Sequence, residues 1–550
     1  MPSPPAGPVD VLVVGAGPTG LTLAAQLAAF GATVRVVDRR GAAARESRAL
    51  VVQPRTLEVL RPLGVTQALL DRGDQAARVR LHLDGRELSL PLFDFALDDT
   101  SYRFLLVLRQ AEVEAALLAN LAARGPSVEW GAELLSYRAD EAGISGTVRH
   151  PGGRTELLRA RYLVGCDGVD STVRRHAGVA FKGGAYRRSV LLADIELDGG
   201  LPSDAAHVFV GPDGVLAAFA AGEHAPWRLL LVQDPRSGGT AAPAAELRAT
   251  AEALSAGRVR VREVAWTARI PLQHRLAATF RSGRVFLAGD AAHVHSPAGA
   301  QGMNTGIQDA SNLGWKLALA ARDIASETLL GTYGAERRPV AHAVLALTHL
   351  AFWVETADSL PIRRARAALA PLAVPVALRH AWLRALAFRV VGQLWARYPR
   401  GPAAVEGLPR LRRGPGAGHR LPDAPLRRDQ VPCRLHQALA TPAFQLLLCG
   451  PPDAWDRQRL AGLQARDGSL VAVHRLGGEP SPGALCDPGG AALARLGARN
   501  GAQYLVRPDG HVGYRCAGFD LDGLERHLAQ LLPGGGRQPT SSAAAARPAR

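Results

Sequence analysis

Short apolar runs that end near glycine or aspartate recur through the first half of the chain. Four of these runs have the length and composition of buried strands, at residues 10–14, 33–37, 162–166 and 284–288. Apolar segments with helical character follow the first run at residues 21–30 and the last at residues 306–317. This alternation of strands and helices predicts an α/β fold with a parallel sheet.

The first predicted strand leads into a glycine-rich turn with the spacing G-x-G-x-x-G. In a strand-turn-helix unit, Gly15 allows the tight turn, Gly17 lets a pyrophosphate reach the backbone, and Gly20 brings the helix close to the strand. The second strand ends at Asp38, whose carboxylate suits ribose hydroxyls and would repel a 2′-phosphate. These residues predict a Rossmann-like site for the adenosine half of FAD or NAD rather than of NADP.

A second candidate site follows the apolar run at residues 284–288. Asp290 emerges at the carboxyl end of this predicted strand, where open α/β sheets bind ligands, and a carboxylate there can accept hydrogen bonds from a ribityl chain. The small residues at 297–302 let a flat ring approach the backbone, and the helix start near Gly306 favours electron-rich ligand edges. The stretch therefore predicts a flavin clamp.

Two histidines in the same stretch, His293 and His295, raise the alternative of a metal site. Two ligands are too few for zinc, and no cysteine or carboxylate cluster accompanies them in the sequence. We therefore expect no metal.

Patterning along the whole chain predicts several regions. Between residues 188 and 270, short runs separated by Gly- and Pro-containing turns indicate antiparallel strands, which suit a substrate wall. Its aromatic residues are candidates to line a pocket: Phe209, Phe219, Trp227 and Trp266. The predicted boundaries are 1–180 for the first part of an FAD-binding domain, 181–275 for an inserted, mostly antiparallel substrate-binding β-sheet domain, 276–397 for the second part and its following helices, 398–425 for a linker, 426–533 for a C-terminal α/β domain and 534–550 for a disordered tail.

Composition and charge narrow the class of protein further. The chain has 550 residues and a formal net charge of +16, but lysine occurs only at Lys182 and Lys316 and no recognition motif accompanies the arginines, so we expect no nucleic-acid partner. Five scattered cysteines without a C-x-x-C pair are typical of reduced cytoplasmic proteins. No signal-peptide pattern is present, and residues 340–354 are too few for a membrane span, so we expect a cytoplasmic protein without membrane contact.

The glycine-rich turn, the Asp-Gly pair at Asp167 and the Gly-Asp pair at Asp290, in this order, resemble the flavoprotein aromatic hydroxylases. These are single-component FAD monooxygenases with a p-hydroxybenzoate hydroxylase-like fold, and the resemblance spans about residues 10–340. It implies a set of cofactor-binding positions spread over both parts of the FAD-binding domain: Gly15, Gly17, Thr19, Gly20, Asp38, Arg39, Arg48, Gln110, Asp167, Asp290, Pro297, Met303 and Asn304.

The resemblance also implies what the less obvious of these positions do. Arg48 lies beside the FAD pyrophosphate, Gln110 meets the cofactor, and Asp167 serves both FAD and a passing nicotinamide. Pro297 neighbours the isoalloxazine, while Met303 and Asn304 contact the flavin ring through their backbone. No catalytic side chain is assigned, because the flavin carries the chemistry.

The implied reaction consumes NADH or NADPH and O2, and a flavin C4a-hydroperoxide hydroxylates an aromatic substrate. The chain length and the C-terminal region resemble the larger members, which include polyketide hydroxylases and carry a thioredoxin-like domain, so we expect a polycyclic phenol as substrate. The thioredoxin-like domain lacks a redox pair of cysteines, so we expect it to serve packing or dimerisation. We expect the protein to be a monomer or a homodimer. A Baeyer-Villiger oxygenase on the same scaffold and a non-catalytic binding protein remain alternatives.

Overall fold

The computed structural model describes residues 8–43, 49–83, 86–92, 95, 97–211, 214–220, 225–233, 244–296, 298–356, 376, 379–451, 455–480 and 482–534. The helices in chain order are α1 (Pro18–Ala29), α2 (Pro54–Leu60), α3 (Thr66–Leu70), α4 (Gln110–Ala123), α5 (Thr172–His176), α6 (Ala244–Leu254), α7 (Gly302–Ala321), α8 (Glu327–Thr356), α9 (Ala381–Val391), α10 (Leu435–Ala438), α11 (Arg457–Asp467), α12 (Ala491–Arg495) and α13 (Leu521–Leu531). The strands are β1 (Val9–Val14), β2 (Val34–Asp38), β3 (Val51–Val52), β4 (Arg78–Leu83), β5 (Arg86–Pro91), β6 (Leu106–Val107), β7 (Val128–Trp130), β8 (Glu133–Ala139), β9 (Ile144–Arg149), β10 (Thr155–Gly165), β11 (Phe181–Leu197), β12 (Ala206–Gly211), β13 (Gly214–Phe219), β14 (Trp227–Gln233), β15 (Val261–Ala277), β16 (Arg281–Ser282), β17 (Val285–Leu287), β18 (His293–Val294), β19 (Val405–Glu406), β20 (Pro425–Arg428), β21 (Val431–Arg434), β22 (Phe444–Cys449), β23 (Val471–Gly477), β24 (Leu485–Cys486), β25 (Ala502–Val506) and β26 (Val512–Ala517).

The first sheet carries the parallel strands predicted from the apolar runs. Its path is β16-β17-β10-β1-β2-β7, and β8 and β9 extend it beside β10. β1 pairs in parallel with β2 and β10, and β10 pairs in parallel with β17. The carboxyl ends of these four strands therefore meet at one edge of the sheet. Val11, Leu12 and Val13 are completely buried, as expected of a parallel sheet covered on both faces.

The second sheet forms the predicted antiparallel wall, with the order β18-β15-β11-β14-β13-β12-β4-β5. It extends beyond the predicted boundaries of 181–275 at both ends, because β4 and β5 come from the first part of the chain and β18 follows β17. β4 pairs in parallel with β12, and the paired residues are more than a hundred positions apart in the sequence. β4 alternates polar and apolar residues (RVRLHL), as a strand does, but its pairing with β12 cannot be read from either sequence.

The two faces of the second sheet have different coverings. Residues of one face, including Leu191, Phe209 and Trp227, form a core with α6. Alternate residues of β11 and β15 point the other way, and Val190, Leu192 and Leu272 form a separate apolar cluster there. Two of the four predicted pocket residues therefore pack in the α6 core, whereas Trp266 belongs to the opposite face.

The C-terminal α/β domain has a thioredoxin-like sheet with the order β19-β26-β25-β22-β23-β24-β20-β21. The central strands β22 and β23 are parallel and flank α11, and the hairpin of β25 and β26 precedes α13. The predicted hairpin and closing helix both occur. All five cysteines are free thiols.

Residues 398–425 differ from the linker that the sequence predicts. Tyr398, Ala403 and Leu421 are buried, and β19 pairs in parallel with β26. The glycine content of this segment serves close packing: Gly418 has a φ of 82°, and a side chain there would overlap the Tyr398 carbonyl oxygen. Composition alone therefore misassigns a segment that belongs to the third sheet.

Helix α7 begins at Gly302, four residues before the predicted start, and is buried along almost its whole length. The predicted tail falls outside the described residues apart from Gly534. Within the described part of the chain, no helix is both long and apolar enough to cross a membrane.

Candidate flavin site

The glycine-rich turn lies where β1 and β10 end side by side. Gly15 has a φ of 101°, and a side chain at this position would overlap the Cys166 carbonyl oxygen. A side chain at Gly20 would overlap the Gly15 carbonyl oxygen, so both glycines are needed for close packing. Around Gly17, by contrast, no atom of the described residues lies within 4 Å of the place of a Cβ. The turn therefore presents an open backbone surface at Gly17, where the pyrophosphate is expected.

Thr19 connects the glycine-rich turn to the predicted clamp. It lies in the first turn of α1, between Gly289 at the end of β17 and Gly306 in α7. A Cβ at Gly289 would come within 2.6 Å of the Thr19 hydroxyl oxygen, and a side chain at Gly306 would overlap it. Three segments far apart in sequence thus converge at one point through two glycines.

Asp38 is buried and bound to the glycine-rich turn. Its Oδ2 accepts a hydrogen bond of 2.7 Å from the Ala16 amide, and Arg40 donates to both carboxylate oxygens at 3.0 and 3.1 Å. Arg39, which the sequence analysis assigned to the cofactor, is exposed. Arg40 was missed, although residues two apart at the end of a strand share one side, so strand periodicity could have found it.

Asp167 accepts hydrogen bonds at the start of the short helix α5, whose N-cap residue is Ser171. One of its carboxylate oxygens accepts from the Ser171 hydroxyl at 2.5 Å, and the other accepts from the Thr172 amide at 2.7 Å. Arg174 of the same helix donates to the Ala291 carbonyl at 2.9 Å. The Asp-Gly segment and the Gly-Asp segment are therefore linked through α5.

The Gly-Asp turn at Gly289 and Asp290 rests on a buried ionic cluster. The Gly289 amide donates to Asp309 Oδ2 at 3.1 Å, and His293 Nε2 lies 2.6 Å from the same oxygen. Arg337 Nε donates to Asp309 Oδ1 at 2.7 Å. Although burial opposes its ionisation, Arg337 and His293 hold the pKa of Asp309 below its usual value. Asp290 itself is exposed at this turn.

His293 is among the residues singled out from the sequence, whereas Asp309 on α7 and Arg337 on α8 are not. Both have polar neighbours in the sequence, IQDASN around Asp309 and AERRP around Arg337, so no local pattern marks either residue. Their role here is to hold the turn that carries Asp290.

Asn304 uses its whole side chain within the protein. Oδ1 accepts from the Gln53 amide at 2.9 Å and the Thr56 hydroxyl at 2.7 Å, and Nδ2 donates to the Val51 carbonyl at 2.9 Å. Only its backbone is left for a cofactor, in keeping with the expected backbone contact. Met303 beside it is half-buried against the main core.

Gln110 begins α4 and lies next to the segment that precedes β3. Its amide donates to the Ala49 carbonyl at 2.9 Å, and its side chain donates to Glu114 at 2.9 Å. The predicted contacts Arg48 and Pro297 lie outside the described residues. The assignment of all these positions to FAD stays a prediction.

Two buried polar atoms near the clamp have no hydrogen-bond partner among the described residues, Nδ1 of His293 and Nε2 of His295. Burial lowers the pKa of His295 to about 4, so its ring is neutral. Such atoms, together with the open surface at Gly17, fit a bound FAD that supplies polar partners along this edge.

Within the described residues, one group has the spacing of metal ligands, Glu129, His150 and Glu156. Arg35 donates to the carboxylates of Glu129 and Glu156 at 2.6 and 2.7 Å, so both carboxylates are already paired with an arginine. The two histidines of the clamp do not belong to it.

The parallel sheet, the glycine-rich turn and the clamp at its carboxyl edge define a dinucleotide-binding flavoprotein. A family model described as FAD binding domain matches residues 8–348, and another described as aromatic-ring hydroxylase, C-terminal, matches residues 414–533. The chain belongs to the FAD-dependent aromatic-ring hydroxylases and is an FAD-dependent monooxygenase.

The chain is similar to 6-methylpretetramide 4-monooxygenase from Streptomyces rimosus, with 37% identity over 528 residues that cover 93% of this chain and 91% of the relative. Among solved structures, a ternary complex of aklavinone-11 hydroxylase with FAD and aklavinone has a TM-score of 0.78 at 28% identity and covers 96% of this chain and 99% of its own. Anhydrotetracycline hydroxylase from Streptomyces rimosus has a TM-score of 0.76 at 29% identity, with 96% and 99% covered.

Proposed function

We propose that this protein hydroxylates a polycyclic phenol of the aromatic polyketide type, with NADH or NADPH and O2 as co-substrates. The names of its relatives, which refer to 6-methylpretetramide, anhydrotetracycline and aklavinone, support this substrate class. Bound FAD supplies the chemistry that reduces oxygen and transfers one oxygen atom to the substrate ring.

The observation that carries the proposal is the junction of the clamp with the second sheet. β18 begins three residues after Asp290 and pairs with β15, in the register Leu276 with His293 and Arg275 with Val294. The flavin clamp is therefore continuous with the sheet whose second face carries Leu272 and Trp266, with the buried Arg228–Asp194 ion pair beside Trp266. A flat aromatic substrate on that face would lie beside the cofactor.

The protein's own residues would contribute binding, orientation and the exclusion of water. Leu272, Ile270 and Trp266 offer a flat apolar wall against which fused rings can pack. Such a wall also keeps water from the reacting atoms, which protects an unstable oxidant from hydrolysis. The buried Asp309 cluster would hold the clamp backbone in place during turnover.

The test follows the visible spectrum of the FAD-loaded protein during anaerobic bleaching by NADH and, separately, by NADPH. A panel of monocyclic and polycyclic phenols is then added, and products are identified by mass spectrometry. We expect one polycyclic phenol to accelerate bleaching and to gain one oxygen atom on a ring carbon when O2 is admitted.

Fast and fully coupled turnover of monocyclic phenols would contradict the proposed substrate class. A lactone product would indicate Baeyer-Villiger oxidation instead. Failure of the protein to bind FAD would support the reading as a binding protein without catalysis.

A further inference from the structure

An exposed basic surface lies around β19, at the edge of the third sheet. It combines five arginines whose side chains are exposed with one apolar residue, Leu408, which is 70% exposed. The arginines are Arg397, Arg400, Arg410, Arg412 and Arg413. We call these six residues the Leu408–arginine surface.

A single guanidinium ties the loop after β19 to the carboxylate at the end of that strand. Arg515 on β26 donates to Glu406 at 2.8 Å, and it also donates to the carbonyl oxygens of Arg413 at 3.0 Å and Leu411 at 3.1 Å. The loop that carries three of the five arginines is therefore held close to Glu406.

The segment before β19 approaches the same carboxylate. Arg397 forms a backbone bridge with His419, and the Ala417 amide, two residues earlier, donates to Glu406 at 2.9 Å. Although burial opposes its ionisation, these hydrogen bonds and the nearby Arg400 hold the pKa of Glu406 below its usual value. The five arginines thus form one surface around one carboxylate.

The backbone under Leu408 is fixed to β26. The Gly407 amide donates to the Arg515 carbonyl at 2.8 Å, and the Ala517 amide donates to the Pro409 carbonyl at 2.8 Å. Leu408 is therefore exposed on an ordered loop. A loop that is ordered beforehand loses little conformational entropy when a partner binds.

The charges of this surface are not neutralised within the protein. Among the described residues, no side chain pairs with any of the five arginines, and Glu406 is already bound by Arg515. Arginines elsewhere in the chain are bound to carboxylates, as Arg35, Arg337 and Arg420 are. Like charges held close together raise the local potential, which attracts an anionic partner.

The composition of the surface distinguishes between anionic partners. A lipid surface is bound by several inserted apolar side chains, and this surface offers one leucine. Single-stranded nucleic acid is held by stacking on aromatic rings, and none of the six residues is aromatic. A second copy of this chain has a formal net charge of +16 and would be repelled. Carboxylates remain, and the planar guanidinium binds them through two parallel hydrogen bonds.

We propose that the Leu408–arginine surface binds an acidic segment of another protein. Carboxylates of the partner pair with the arginines, and Leu408 is buried against an apolar side chain between them. Protein interfaces are enriched in arginine, and a few anchors that become fully buried contribute most of the binding energy. This interaction goes beyond the hydroxylation reaction and does not depend on it.

The experiment measures the binding of fluorescein-labelled peptides to the FAD-loaded protein by anisotropy. One peptide repeats Glu-Leu-Glu, and the other, of equal length, repeats Glu-Ser-Glu. We expect the leucine peptide to bind more tightly and both affinities to fall as salt is added, because exposed charges are screened. Single-stranded DNA of equal charge and vesicles that contain phosphatidylglycerol represent the other classes of partner.

A triple variant tests the arginines. It should bind both peptides about tenfold more weakly, because three exposed ion pairs are lost together. The three substitutions are Arg410→Ser, Arg412→Ser and Arg413→Ser.

A matched triple variant removes the same charge at exposed arginines that already pair with carboxylates of this chain. It should change the affinity for either peptide less than about twofold, because the lost charges lie outside the surface and are screened. Its substitutions are Arg103→Ser, Arg149→Ser and Arg466→Ser.

Leu408→Ser tests the apolar anchor. It should weaken binding of the leucine peptide about tenfold and leave binding of the serine peptide unchanged, because only the former buries an apolar side chain. Anaerobic bleaching of FAD by the nicotinamide should be the same in all variants, which shows that they are folded.

Equal losses of affinity in the two triple variants would reveal a response to net charge alone and would overturn the proposal. Failure of both peptides to bind the wild-type protein would also overturn it. Binding of the DNA or of the vesicles more tightly than the leucine peptide, and its loss in Arg410→Ser/Arg412→Ser/Arg413→Ser, would show that the partner is not an acidic protein.

Discussion

A single buried carboxylate, Asp309, is bound by groups from three parts of the chain. The Gly289 amide, His293 and Arg337 all contact it, and the side chains of Asp309, His293 and Arg337 are at most 1% exposed. Charges this deeply buried are stable only when each is paired. The position of the Asp290 turn therefore depends on an ion pair that makes no contact with solvent.

We predict that Asp309→Asn weakens FAD binding and lowers the stability of the protein. The substitution keeps the shape of the side chain but leaves Arg337 without a counter-charge, and removing one partner of a buried ion pair costs about 3–5 kcal/mol. Thermal unfolding and fluorescence titration with FAD measure the two effects. Asp323→Asn, which removes the partner of Arg161 at an exposed site, is the control and should change neither quantity much. Unchanged FAD affinity in Asp309→Asn would contradict the role given to this residue.

At the scale of elements, α1 and α7 are packed closely through small residues. A side chain at Gly306 would overlap the Thr19 hydroxyl, and one at Gly314 would overlap Gln26 of α1. The closeness of the two helices sets the distance between the glycine-rich turn and the clamp. Two glycines of one helix thus determine the spacing of both halves of the cofactor site.

We predict that Gly306→Ala lowers stability by about 1–3 kcal/mol, because overpacking forces the two helices apart. FAD should also be released more readily, since the turn and the clamp would no longer be in register. Gly334→Ala in α8 meets no atom of the described residues within 4 Å of its Cβ and should raise stability by about 0.5–1 kcal/mol, as expected for a helix interior. Denaturant unfolding and retention of FAD on gel filtration measure both variants, and equal behaviour of the two would refute the packing argument.

The elements that the sequence predicted best are those with a local signal. β1, β2 and β17 are short apolar runs that end at or near a glycine or an aspartate, and the glycines of the turn at Gly15 have the spacing G-x-G-x-x-G. β4 was missed although its sequence, RVRLHL, alternates as a strand does; only its pairing with the distant β12 has no local signal. Asp309 and Arg337 were missed because their meaning depends on contacts between two helices, which no pattern within either helix reveals. Arg40 was also missed, although its spacing of two residues from Asp38 is visible in the sequence.

At the scale of the whole molecule, the C-terminal domain is joined to α7 and α8 by buried charges. Arg507 donates to Glu336 at 2.6 and 2.8 Å, and Lys316 donates to the same carboxylate at 2.6 Å. Although burial opposes its ionisation, Arg507 and Lys316 hold the pKa of Glu336 at about 2. The thioredoxin-like domain thus completes an ionic core that the FAD-binding domain cannot complete alone.

We predict that Glu336→Gln destabilises the whole chain by about 3–5 kcal/mol, since it leaves two buried cations with less negative charge. Calorimetry should show one transition at a lower temperature rather than the early loss of the C-terminal domain alone. Glu525→Gln removes a partly exposed partner of Arg459 and should leave the transition nearly unchanged. Two well-separated transitions in the wild-type protein would contradict the coupling.

We also predict that stability falls as the pH decreases from about 6.5 to about 4. Burial lowers the pKa of His474, His511 and His527 to about 4 from an ordinary value of 6.5, so the unfolded chain takes up protons first. Their contribution is fully present above pH 6.5 and is lost as the pH falls toward 4. In His527→Leu, the free energy of unfolding should fall less over this pH range than in the wild-type protein, by roughly 3 kcal/mol at most. His342→Leu should behave like the wild-type protein. If the free energy of unfolding, measured with urea at several pH values, depended on pH equally in the wild-type protein and in His527→Leu, this account would be disproved.

The pairing of β18 with β15 has a mechanical consequence. β18 is hydrogen-bonded to β15 of the second sheet and is covalently continuous with the Asp290 turn, so it links the sheet to the turn. A tilt of the second sheet would be passed through β18 to the Asp290 turn, so the positions of the sheet and of the turn are coupled.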